Sequence, residues 1–137
     1  MRRKLRYLYC GMEYEYLPEI AGVYLEDSYF LGVVSEGADL RFKFLFALTC
    51  DHEEYIVPKP GEQHCYREGS IMFEHPMIIE WRAGKPKILR DPDGTFDFGS
   101  VEIYCRRPDR LRVVTEWFET IFDTKRVTVA LSDKTSA

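Results

Sequence analysis

The chain has 137 residues, 45% hydrophobic and 31% charged, a balance that suits one globular domain with its own core and excludes a disordered polypeptide. Its 19 basic and 23 acidic residues leave a formal net charge of −4, which gives no electrostatic grip on nucleic acid. It contains no long uncharged apolar run, so no membrane span or membrane partner is expected.

Residues 1–17, "MRRKLRYLYCGMEYEYL", begin basic as a secretory leader does. Glu13 and Glu15 interrupt the apolar stretch that a leader needs, so the expected location is cytoplasmic. Cys10, Cys50, Cys65 and Cys105 are then expected to be free thiols. Tyr7, Tyr9, Tyr14 and Tyr16 crowd the same region and fit either an added strand or a contact surface. In "LEDSYF", residues 25–30, Glu26 and Asp27 could do acid–base work. The preferred reading is a turn in which Asp27 or Ser28 bonds nearby backbone.

Residues 29–48 read as a hairpin. Leu40, Phe42, Phe44, Phe46 and Leu48 alternate with Arg41, Lys43, Leu45 and Ala47, which puts five large apolar groups on one strand face. "SEGAD" before them carries turn chemistry, with Gly37 free to take a positive φ.

The next stretch, "CDHEEYIVPKPGEQHCY" (50–66), holds two of the four cysteines and two of the three histidines. Cys50, His52, His64 and Cys65 have the donor types that zinc prefers. Their spacing departs from zinc motifs, because neighbouring His64 and Cys65 point to opposite sides of an extended chain. A Cys–His catalytic pair would join Cys65 to His52 or Cys50 to His64, with Glu53, Glu54 or Glu62 orienting the imidazole. The preferred reading is a loop stiffened by Pro58 and Pro60, with Cys50 and Cys65 as small buried hydrophobes.

Short strands are expected at 70–73 and 77–81, with Pro76 marking a start, an edge or a bend. "AGKP" and "DPDG" are turns. A strand at 100–105 turns Val101, Ile103 and Cys105 inward. "RRPD" makes a turn and "RLRVV" answers it. Arg106, Arg107, Arg110 and Arg112 at that tip could grip phosphate, but a solvated turn is preferred, and Arg2, Arg3, Lys4 and Arg6 at the N-terminus call for the same caution. Residues 113–122 fit a helical stripe and a strand face, and their β-branched and aromatic content favours strand. The last strand, 126–131, puts Val127, Val129 and Leu131 on one face. No phosphate loop, dinucleotide fingerprint or nucleophile elbow is present.

The expectation is an all-β chain, a single-domain antiparallel β-sandwich or barrel with at most one short helix. One domain covers 1–137, with 1–11 as an N-terminal extension and 132–137 as a frayed tail.

The segments "LPEIAGVYLEDSYFLGV" and "PKPGEQHCYREGSIMF", followed by a Trp in a late strand, resemble a group of small bacterial proteins without an assigned activity. The matching positions are 25–28, 60–62 and 65–67. The resemblance implies a compact all-β domain and supplies no catalytic residues. Residues 1–11 lie outside it, so relatives would start at Met12.

The functional expectation is a non-enzymatic binding or interaction domain that works through an exposed sheet face or edge. Its partner would be another protein, a small ligand or a second copy of the chain. No cofactor, metal or catalytic residue is expected. The competing expectation is a metal- or thiol-dependent enzyme with its site at residues 50–66.

Overall fold

The alternating apolar residues at 40–48 build the backbone of the molecule. A computed structural model describes residues 12–13, 18–84, 89–90, 96–97, 99–107 and 109–132. The strands in chain order are β1 (Met12–Glu13), β2 (Tyr29–Glu36), β3 (Asp39–Leu48), β4 (Cys65–Phe73), β5 (Met77–Ala83), β6 (Leu89–Arg90), β7 (Phe96–Asp97), β8 (Glu102–Arg107), β9 (Arg110–Val114), β10 (Phe118–Asp123) and β11 (Val127–Leu131). Two 3-10 turns, Pro18–Ile20 and Leu25–Asp27, are the helical elements among the described residues.

Among the described residues the strand pairs are all antiparallel. One sheet runs β1-β8-β9-β10-β5 and the other β11-β4-β3-β2, with β6 and β7 as a separate ribbon. The two sheets face each other as a β-sandwich and do not close into a barrel. Between them Phe42 meets Phe73 and Phe118 at ring centroid distances of 5.1 and 6.0 Å, and Phe73 meets Phe122 at 5.0 Å. Phe42 and Phe73 belong to one sheet and Phe118 and Phe122 to the other, so these rings join the layers. Each fully buried Phe contributes about 1.5–3 kcal/mol of transfer free energy.

The β3 expectation holds in its particulars. Phe42, Phe44, Phe46 and Leu48 are buried, and half-buried Leu40 packs against the same cluster. Gly37 takes φ +62° in the turn between β2 and β3. Val101, Ile103 and Cys105 are buried as expected, and Val127, Val129 and Leu131 pack partly buried against the core. Pro76 stands immediately before β5, where the chain passes from one sheet to the other. Thr124 Oγ1 fastens that crossing to the β10–β11 crossing by donating to the Glu74 carbonyl at 2.6 Å.

Residues 113–122 form neither one strand nor a helix. β9 ends at Val114, and Thr115 makes a turn before β10 starts at Phe118. Thr115 Oγ1 accepts the N–H groups of Trp117 and Phe118, each at 3.0 Å, and the Thr115 N–H donates to the Phe118 carbonyl at 2.8 Å. A threonine side chain thus does the work usually given to Gly or Asn. Cys50 also differs from expectation. It is exposed at the start of its loop, whereas Cys65 is buried on the core face of β4. Cys50, Cys65 and Cys105 all carry free thiols. The expected extension at 1–11, the tyrosines at 7, 9, 14 and 16, most of the two turns at 83–94 and the tail from 133 lie outside the described residues.

Candidate functional site

The two segments singled out for the resemblance meet at one pocket of about 420 Å³. Residues 25–28 supply Glu26, Asp27 and Ser28, and the entry to β4 supplies Gln63, His64 and Tyr66. Ser28 behaves as the turn reading requires, donating to the Tyr24 carbonyl at 2.9 Å and accepting the Ala47 N–H at 2.9 Å. Asp27 does something else. Its Oδ2 lies 2.8 Å from His64 Nε2. An ionised carboxylate only accepts, so Nε2 donates, and in a neutral ring Nδ1 keeps the lone pair. Tyr24 stacks beside the imidazole at 6.0 Å and Tyr66 meets it edge-on at 5.9 Å. Burial, with Tyr29 beside it, pushes the Tyr66 phenol above its ordinary value.

This arrangement sets a carboxylate-bonded imidazole at a polar pocket, and among the described residues no cysteine lines that pocket. Cys65 lies in the core, Cys50 is exposed, and His52 packs over Gly22 while its Nδ1 accepts the Glu54 N–H at 3.0 Å. Among the described residues no group of three or more His, Cys, Asp or Glu side chains converges as metal ligands would. The loop holding these residues is tied by turns, with N–H groups of His52, Tyr55 and Glu62 donating to the carbonyls of Thr49, His52 and Lys59. Arg67 pins it to the sheet, donating to Glu54 at 3.0 Å and to the Ser132 carbonyl at 3.0 Å.

The arginines at the β8–β9 tip are engaged with carboxylates. Arg110 grips Asp123 at 2.7 and 2.9 Å, Arg112 donates to Glu119 at 2.9 Å, and Arg107 lies 3.4 Å from Asp109. The hydrogen bonds that Arg110 and Arg112 donate to the Asp123 and Glu119 carboxylates hold their guanidiniums above the ordinary range. The side chain of Arg106 lies outside the described set, as do Arg2, Arg3, Lys4 and Arg6.

A second surface, absent from the sequence-based candidates, lies along one edge of the sandwich. Here β2 ends one sheet and β5 ends the other. Phe30, Gly32, Val33, Trp81, Trp117 and Phe118 line an apolar cleft of about 340 Å³ between them. Trp81 stacks on Phe118 at 4.5 Å yet is 52% exposed. All seven residues of β5 are exposed, including Met77, Ile78 and Ile79, and Leu31, Val33 and Val34 are exposed on β2. The signal for this surface was the run Met77-Ile78-Ile79, which is apolar at consecutive positions. A strand with one wet face alternates, so such a run belongs to a strand covered on both sides or to one meant to be covered.

Among the described residues no helix is long and apolar enough to cross a membrane. No protein-family model, curated protein or solved structure matches the chain.

Proposed function

We propose that this chain is a non-enzymatic interaction domain of the small bacterial proteins it resembles, and that its working surface is the edge where β2 and β5 face each other. The observation that carries the reading is the almost wholly apolar cleft lined by Trp81, Trp117 and Phe118, flanked by the exposed apolar residues of two edge strands. Soluble chains manage such edges with charge, bulges or a covering element, and contiguous exposed apolar surface marks a binding site. A photo-crosslinking residue at position 81 should give discrete polypeptide adducts inside cells, and Val33→Asp in the same chain should abolish them. The same probe at Thr128, on the opposite edge, serves as the control. Equal labelling at both positions, or none at 81, would remove the edge as a working surface.

The competing enzyme reading rests on the His64–Asp27 hydrogen bond at the polar pocket. It would use the imidazole as a proton acceptor, since neither cysteine of residues 50–66 reaches that ring. A hydrolase survey with small ester and phosphoester substrates tests it. Turnover lost in His64→Gln would favour it.

A further inference from the structure

We infer that the occupant of the β5 edge is a second copy of this chain, paired antiparallel about Trp81 so that two five-stranded sheets become one. The inference rests on the proposed role of that edge and names what covers it.

The backbone sets the register. The Glu80 carbonyl accepts Thr120 Oγ1 at 2.9 Å, and the Gly84 N–H donates to the Trp117 carbonyl at 2.7 Å. Both residues therefore turn their polar groups toward β10. Along a strand these groups alternate in direction, so Trp81 and Ala83 present theirs to the free side. A two-fold axis at Trp81 makes Trp81 and its copy a hydrogen-bonded pair. It sets Ile79 against Ala83 of the partner on both sides.

The side chains agree with that register. Glu80 and Arg82 flank Trp81, are both more than half exposed, and lie 3.5 Å apart within one strand. Pairing about Trp81 places each Glu80 directly opposite the partner's Arg82, so two cross-strand ion pairs form by symmetry. Opposite charges directly across an antiparallel pair stabilise it, and like charges there oppose it. An isologous contact must be self-complementary in this way. The register slips at Ile79, where β5 bulges against β10 between Ile121 and Phe122. That bulge limits the pairing to residues 79–83.

The test is sedimentation of the full chain over roughly micromolar to hundred-micromolar concentration, with Glu80→Arg, Arg82→Glu and the double exchange. The native chain should dimerise. Each single substitution should weaken association about tenfold or more, because it sets like charges across the pair. The double exchange should restore association, because opposite charges then face each other again with their signs reversed. Thr128→Arg on the opposite edge should leave association unchanged. A native monomer at the highest concentration overturns the inference, as does a dimer indifferent to the single substitutions or not rescued by the exchange. Crosslinks from position 81 to other polypeptides, in a chain that stays monomeric, would overturn the self-pairing while leaving the edge as a binding surface.

Discussion

At position 69 the core tolerates only a hydrogen in place of a side chain. Gly69 is buried in β4, opposite Phe44 of β3 and Leu131 of β11. A Cβ there would stand 2.6 Å from the Ala130 carbonyl oxygen and 2.7 Å from Cε2 of Phe46. One of those atoms is main chain and cannot swing away. The other belongs to a ring that is fully buried. Gly69→Ala should therefore destabilise the fold by about 1–3 kcal/mol, the usual cost of overpacking. Its gain in strand propensity is too small to compensate. Urea unfolding at neutral pH measures the difference, and a variant as stable as the native chain would show that Phe46 has room to move. This requirement was not legible in the sequence, where "REGSIMF" shows a glycine in a strand without saying what lies over it. The same limit applied to Cys50 and Asp27. Residue type suggested a buried thiol for the first and a turn former for the second. Exposure of the one and the His64 bond of the other depend on neighbours distant in sequence.

Among the elements, β3 was the most legible and the turn at 115–117 the least. β3 alternates because one face meets the opposite sheet and the other does not, so burial is written directly into residues 40–46, whereas Ala47 on the second face is buried as well. Phe44 within it stacks on Phe46 at 5.0 Å and contacts Phe30 at 5.6 Å. Phe44→Ala should cost roughly 3–5 kcal/mol, transfer and cavity terms together. Leu40→Ala, at the half-buried end of the same face, should cost clearly less. Equal losses in denaturant unfolding would place the core boundary wrongly. The hairpin of β9 and β10 escaped because its turn holds no Gly, Pro or Asn, and a threonine hydroxyl supplies the missing acceptor. β5 was recognised as a strand but not as a surface. Its period-two pattern fails at Met77-Ile78-Ile79, and an apolar run alone does not tell a buried strand from an exposed edge.

For the whole molecule, the aromatic interior sets cohesion while paired charges on the sheet faces set its response to acid. Rings from Trp81 through Phe118, Phe42 and Phe73 to Phe122 run between the layers and do not titrate. The charged pairs do. The hydrogen bond from Arg110 holds the Asp123 carboxyl below its ordinary value, and the bond from Arg41 does the same for Glu36 in the other sheet. A carboxyl whose folded value is depressed binds fewer protons in the folded chain than in the unfolded one. Its stabilising contribution is thus fully present above the ordinary carboxyl range and is lost as pH falls through the depressed folded value. Both pairs are solvent-facing, so each contributes modestly and weakens with salt. The urea midpoint should be nearly level from pH 7 to about pH 5, because these carboxyls remain ionised there in both states. It should then drop as the pH falls below about 4. In the double variant Asp123→Asn, Glu36→Gln the neutral-pH midpoint should be lower and the acid drop shallower, so that the gap between the two curves narrows as the pH falls through the depressed folded values. Parallel curves separated by a constant amount would mean that the variant lost packing and not charge pairing.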